Sequence, residues 1–232
     1  RNDNAAATGL RRLMELLPWL RQNALVHYLA PRGLEQFSGG GWGTRDVCQG
    51  PMELLLAEGH GPPIRDLLVR VMKAQQSDGD WPQWFMFFER DAAIRADDSN
   101  GDIVFWPLLA LAQYLIASGD ASILDEAVAF AAKRAARPGR PHRVWTHVLR
   151  ALALTRRRRI GGTALAAYGH GDWNDALQPA DPAMRENMCS AWTVTLHHQT
   201  LTTLARALRQ VGRQPAAQRL ERQAEAVRCD FL

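Results

Sequence analysis

Residues 169–177 read GHGDWNDAL, which sets Asp172, Trp173, Asn174 and Asp175 in a row behind three small or polar residues. A solvated turn uses Asn, Asp and Gly, because their side chains bond nearby backbone or tolerate positive φ. It has no use for Trp. A core segment uses Trp but not two acids. Both demands are met where a carboxyl group faces a bulky, partly apolar substrate. Sugars are of this kind: a pyranose has an apolar face that stacks on an aromatic ring and a hydroxyl rim that needs donors and acceptors. Cleavage of a glycosidic bond requires a carboxylic acid to protonate the leaving oxygen, its pKa raised by a dry setting. An inverting hydrolase adds a second carboxylate, roughly 6.5–9.5 Å away, to activate water. A phosphate attacker arrives already anionic, so one acid and a cationic anion pocket then suffice.

Two further segments have the same composition. Residues 30–50 contain QFSGGGWGTRDVCQG, and residues 77–102 contain SDGDWPQWFMFFERDAAIRADDSNGD. With residues 160–181 they make three long connections, each carrying Trp, Asp and Gly. Connections of that length inside a compact domain are uncommon and usually functional. Asp175 is the first candidate acid, against the alternative of a turn acid or helix N-cap. Asp172 has the same alternative. Asp46 follows Arg45 behind three glycines and Trp42, and could equally be a surface partner of Arg45 or a cap for the segment 47–57. Asp97, Asp98 and Asp102 frame Ser99-Asn100-Gly101, where a capping cluster for a helix at Ile103 is the competing reading. One of Trp81 and Trp84 is expected in the core. His197 and His198 lie on a helical pattern and read as packing or surface residues.

The elements that must position these loops are helices. Leu10, Leu13, Leu16, Leu17, Leu20, Ala24 and Leu25 recur at steps of three and four. Pro18 should kink that run or start a helix. Similar stripes cover 52–57, 64–72, 103–116, 123–136, 144–154, 191–208 and 216–227, with stops at 59–63, 118–120, 138–141 and Gly212. No alternating strand pattern appears. The expectation is an all-α chain of about eight helices, arranged as hairpins in a ring with the rich loops gathered at one end.

The chain has 232 residues, 47% hydrophobic and 22% charged, with a net charge of +4. That is an ordinary globular composition. No apolar run reaches the roughly 18 residues of a membrane helix, and the first residues, RNDNAAATG, are polar and small and show no signal-peptide pattern. Arg156, Arg157, Arg158 and Arg159 close a helical pattern, where cations complement the C-terminal dipole. They read as a solvated helix end, and no interleaved aromatics accompany them as nucleic-acid binding would require. Cys48, Cys189 and Cys229 are too few and scattered for a disulfide framework and fit a reducing, cytoplasmic setting. No CxxC or HExxH spacing suggests a metal.

Four motifs are specific enough to compare with a known family. LEQFSGGGWGTRDVCQGP (34–51), GDWPQWFMF (79–87), SNGDIVFWPLLALAQYL (99–115) and PADPAMRENMCSAWTVTL (179–196), in register with GHGDWNDAL, resemble glycoside hydrolase family 94. The likeness is to the phosphorylase-like C-terminal region of cyclic β-1,2-glucan synthases and to β-1,2-oligoglucan phosphorylases. The resemblance implies an (α/α)6 toroid and inverting phosphorolysis. In that reaction phosphate attacks the anomeric carbon and α-glucose 1-phosphate leaves. It places the general acid at Asp175 and the sugar site at Trp173, Arg45, Asp46 and Asp102, with Asp172, Trp42 and Gln49 as further candidate sugar-binding residues. It implies no cofactor, only inorganic phosphate as co-substrate.

Two positions depart from the family pattern. Asn100 stands where relatives usually carry His; it can donate a hydrogen bond but cannot shuttle a proton. Gly40 stands where cellobiose phosphorylases carry a sugar-binding Arg, which favours the β-1,2-glucan branch. The chain reads as part of a catalytic domain, 1–232, excerpted from a longer protein, with phosphate-binding residues expected beyond Leu232. The expected partners are a β-glucan oligosaccharide and phosphate, the remainder of a larger membrane-attached synthase at the cytoplasmic face of the inner membrane, and a second copy in a homodimer. No nucleic acid is expected. The competing functional readings are an inverting hydrolase, with Asp46 or Asp102 as base, and a non-catalytic carbohydrate-binding remnant.

Overall fold

A computed structural model describes residues 2–29, 41–86, 94–96, 99–131, 139–174 and 176–232. The described residues are mainly helical. In chain order they form α1 (Asn2–Leu29), β1 (Gly41–Gly43), α2 (Thr44–Cys48), α3 (Gly50–Ala57), α4 (Gly61–Lys73), β2 (Trp84–Met86), α5 (Phe105–Ser118), β3 (Ala127–Val128), β4 (His142–Arg143), α6 (Val144–Arg157), α7 (Ala191–Gln210) and α8 (Gln214–Phe231). Short 3-10 turns cover Ala121–Asp125 and Pro182–Glu186. This is the all-α class that the periodicity predicts.

α5 is the centre. Its sequence FWPLLALAQYLIAS is apolar around most of its circumference, the pattern of a helix covered on all sides. Leu108, Leu111 and Leu115 are fully buried. Each contributes about 1.5–3 kcal/mol relative to exposure. α7 packs along α5 and pairs in turn with α8, while α4 and α2 cover other parts of α5. Gly212, at φ 78°, makes the tight reversal that returns α8 onto α7. Gly119, at φ 67°, ends α5 in the same way, its N–H donating to the Leu115 carbonyl at 2.9 Å. Asp120 then caps the following 3-10 turn through the Ser122 N–H.

Two expectations need correction. The stripe 123–136 does not form a helix over its described part. The 3-10 turn stops at Asp125, Glu126 is drawn to Arg65 at 2.8 Å, and β3 pairs antiparallel with β4. The buried Ile123, Leu124 and Val128 therefore produce helix-like spacing without a helix. Of the two readings of Pro18, the structure takes the place inside the run: Pro18 stands within α1, at the cost of the N–H that the carbonyl four residues earlier would accept. Two-stranded ribbons also exist that no alternation announced, because strands of two or three residues are too short to show it. Along α1 the apolar side chains from Leu10 to Leu20 remain exposed; the helix packs on α3 and its Arg21 pairs with Glu58. No described helix is long and apolar enough to cross a membrane.

The arginine run is only partly a solvated helix end. Arg156 and Arg157 are exposed, but Arg158 turns to the buried Asp80 at 2.5 Å. Arg159 is half-buried, and burial lowers its pKa. Trp81 is the core member of its pair, fully buried with its indole N–H on the Val71 carbonyl at 2.8 Å. Trp84 lies half-buried in β2.

His197 is buried on α7, stacked on Phe105 with ring centroids 4.8 Å apart. Neither ring nitrogen has a hydrogen-bond partner. Burial, then the nearby Arg159 and His198 charges, push its pKa down to about 3. The folded chain therefore keeps His197 neutral while the unfolded chain takes up a proton near the ordinary histidine pKa of about 6.5. Stability from this group is complete above that value and is lost as pH falls from it towards 3. Between pH 6.5 and 5, wild-type unfolding free energy should fall up to about 1.4 kcal/mol per pH unit more steeply than that of His197→Leu. Parallel urea-unfolding profiles for the two proteins would contradict the neutral assignment.

Candidate active site

The three rich loops meet. β1, from the first, pairs antiparallel with β2, from the second, setting Gly41 opposite Met86 and Gly43 opposite Trp84. Thr44 then fastens the start of α2 to the second loop: its N–H donates to the Gln83 carbonyl at 3.0 Å and its hydroxyl to the Pro82 carbonyl at 2.6 Å. The Gln83 side chain continues the chain of contacts, accepting the Asn100 N–H at 3.0 Å. Asn100 and Gly101 bridge to the third loop. Gly101 N–H donates to the Gly171 carbonyl at 2.8 Å, and the Asn100 side-chain amide donates to the Asp172 carbonyl at 3.1 Å. Asn100 thus performs the donor role open to it, which a neutral histidine N–H could also fill.

Glycine is required at this junction. A Cβ on Gly101 would collide with the Tyr168 carbonyl, and Gly169, at φ 64°, lies close against the Gly101 backbone. Behind the third loop, Tyr168 N–H donates to the Met188 carbonyl and Gly169 N–H to the Arg185 carbonyl, so the segment before α7 supports it.

At the meeting point lies Asp102. It is 0% exposed. Its Oδ2 accepts the Trp106 indole N–H at 3.0 Å and lies 3.5 Å from Arg45 Nη1. Its Oδ1 has no hydrogen-bond partner. Burial pushes the Asp102 carboxyl above the usual carboxylate range, opposed first by the Trp106 N–H and then by Arg45. Arg45, on α2, also donates to the Asp172 carbonyl at 3.3 Å. One guanidinium therefore joins the first loop to both others. A buried carboxylate with one oxygen held by two donors keeps hydrogen-bond acceptor capacity at the other.

The other candidates take varied positions. Asp172 is buried, and its Oδ1 accepts the Asn174 N–H at 2.9 Å in an Asx turn, the local role weighed for it above. Asp46 is half-buried in the first turn of α2, with its carboxylate folded against Gly43 so closely that no Cβ would fit there. Gln49 is half-buried at the junction of α2 and α3, its carbonyl accepting the Glu53 N–H. Trp42 is 6% exposed and packs edge-on to Phe85, with centroids 6.2 Å apart. Trp173 is 59% exposed and lies beside Trp192, with centroids 5.7 Å apart. Asp175, Asp97, Asp98 and Gly40 lie outside the described residues. No helix follows the GHGDWNDAL segment directly; the next regular element is the 3-10 turn at Pro182–Glu186.

Sequence reasoning missed Trp106, Gln83 and Trp192. Trp106 falls in an apolar stripe and reads as core, although its spacing of four from Asp102 was a usable signal: residues so spaced meet on one helical face. Among the described residues no group of three His, Cys, Asp or Glu side chains could hold a metal.

The Gly101 contact is open to test. Gly101→Ala forces the Tyr168 carbonyl away and should lower unfolding free energy by about 1–3 kcal/mol, measured by urea denaturation, with faster proteolytic nicking in residues 169–177. Unchanged stability and nicking would contradict the close packing of these loops.

Comparison with known proteins gives a consistent picture. The model of the Glycosyl hydrolase 94 superfamily catalytic domain matches residues 18–231. A 1,2-beta-oligoglucan phosphorylase of Listeria innocua serovar 6a is 41% identical over 230 residues, covering 98% of this chain and 20% of that protein. The cyclic beta-(1,2)-glucan synthase NdvB of Rhizobium meliloti is 29% identical over 172 residues, covering 68% of this chain and 6% of that protein. The chain thus spans a fifth or less of the length of these relatives. The matched residues include all three loops that meet at Asp102, and the chain belongs to the catalytic domain of the glycosyl hydrolase 94 superfamily.

Proposed function

We propose that this chain is the acid-bearing part of an inverting β-1,2-glucan phosphorylase domain within a longer protein. The observation that carries the reading is the convergence of Arg45, Asp102 and the Asp172 backbone, which joins the three loops around a carboxylate oxygen left without a partner. Such a cluster suits the hydroxyl rim of a glucosyl unit, and the exposed indole of Trp173 on the third loop adds an aromatic face to the sugar site. The 1,2-linked oligoglucan and the phosphorylase activity in the name of the Listeria relative supply the substrate class.

In this mechanism Asp175 is the general acid. Arg45 and Asp102 hold the glucosyl unit whose bond is cleaved, with Asp46 and Gln49 beside them on the same loop. Phosphate oxygen attacks the anomeric carbon from the face opposite the leaving group. The bond from that carbon to the glycosidic oxygen breaks, and the electron pair stays on the oxygen, which takes the Asp175 proton. The products are α-glucose 1-phosphate and a glucan one residue shorter. Asp172 serves through its backbone: its carbonyl anchors Arg45 and Asn100, and its carboxylate shapes the turn that carries Trp173 and Asn174. The ring of helical hairpins and a place at the cytoplasmic membrane face, as part of a synthase-like protein, belong to the same proposal.

The test uses the full-length protein with β-1,2-linked glucose oligomers. Wild type should release α-glucose 1-phosphate only when phosphate is present, as read by ³¹P NMR. Asp175→Asn should lower the rate by roughly 10²–10⁴-fold while oligomer binding by calorimetry persists. Near-wild-type turnover in the variant would remove Asp175 from the acid role. Free glucose released at an equal rate without phosphate would instead identify a hydrolase, and binding with no turnover a carbohydrate-binding remnant.

A further inference from the structure

The proposed chemistry accounts for one sugar ring, but the aromatic surface beside it is larger than one ring needs. Trp192 begins α7 just behind its Ser190 cap and is 43% exposed. It stands between two other tryptophans. On one side, Trp173 is 5.7 Å away with ring planes 40° apart; on the other, Trp106 is 6.5 Å away with planes 39° apart. Trp106 in turn donates to Asp102. A continuous aromatic track therefore runs from the buried carboxylate outward through Trp106 and Trp192 to Trp173. Its members come from α5, α7 and the third loop, so no single local structure demands their grouping.

Building on the phosphorylase reading, we propose that Trp192 and Trp173 form a stacking platform for a further glucosyl unit of the bound glucan, next to the unit held by Asp102 and Arg45. Leaving two indoles in water forgoes the burial that large aromatics normally obtain. Stacking on the C–H face of a pyranose recovers that burial and keeps the sugar hydroxyls in solvent. The two ring planes are inclined 40° to each other. A 1→2 linkage joins adjacent positions on the ring, so consecutive pyranoses turn relative to each other and do not lie in one plane. A tilted pair suits such a ligand better than a flat shelf. Trp192 is then a specificity residue for chain length, acting by contact with a sugar that does not react.

The experiment compares binding of glucose and of β-1,2-linked glucose oligomers of two to six units by calorimetry, on full-length wild type, Trp192→Ala and Trp192→Phe, without phosphate. In wild type, affinity should rise as the chain lengthens past the reacting unit. Trp192→Ala should remove roughly tenfold of that gain, and Trp192→Phe should return part of it. An equal loss at every length, or no loss at any length, overturns the platform. A fall in thermal stability with the length dependence intact also overturns it, because Trp192 would then be covered by another part of the protein. Since the readout is binding, it is independent of whether phosphorolysis occurs: absent turnover with a length-dependent Trp192 effect would sink the phosphorylase reading and leave the platform standing.

Discussion

The structure around the candidate site depends on one buried carboxylate. Taking Asp102 out of water costs several kcal/mol unless donors replace the lost hydration. The Trp106 N–H and the Arg45 guanidinium provide that replacement at one oxygen. Trp106 lies four residues on, in the buried helix α5, and Arg45 arrives on α2 from far earlier in the chain. The need to compensate Asp102 thus ties the loop to the core and to the first rich segment. Arg45 passes the constraint on through the Asp172 carbonyl. A site built in this way is held by the fold.

The surrounding architecture serves the same end. α7, backed in turn by α8, braces α5, and α4 and α2 also pack on it. Close backbone approach does the remaining work. Gly101 lets the second and third loops touch without side chains between them, and the β1–β2 ribbon aligns the first loop with the second. Polar contacts of this density would be wasted on solvated connections, where water competes for every donor. They are consistent with loops that must hold shape at a water-poor site.

Much of this was legible in the sequence, for identifiable reasons. The amphipathic helices α4, α6, α7 and α8 announced themselves because one-sided burial imposes a period of 3.6, and α5 did so as a long apolar run. The rich loops stood out because Trp and Asp together suit neither turn nor core, and the motifs within them pointed to the family. What could not be read was contact between segments far apart in the chain. Nothing in GGGWGTRDV says that its arginine meets Asp102, or that Trp42 is buried against Phe85. Trp106 and Trp192 hid because an indole at a helical apolar position looks the same whether it fills a core or presents an N–H or a face to a site. The stripe over 123–136 misled for a related reason: burial sets hydrophobicity, and a 3-10 turn followed by a short strand can bury Ile123, Leu124 and Val128 at spacings that mimic a helix.

The account rests on a glucosyl unit lying against Asp102 with the proton donor beside its linkage. A crystal structure of the full-length Asp175→Asn protein with a β-1,2-linked glucose oligomer and phosphate tests this most directly. It should show a sugar hydroxyl on Asp102 Oδ1, the substituted side chain at position 175 about 3 Å from a glycosidic oxygen, and phosphate on the opposite face of the anomeric carbon. An oligomer bound away from the three loops, or a side chain at position 175 turned from the linkage, would contradict it.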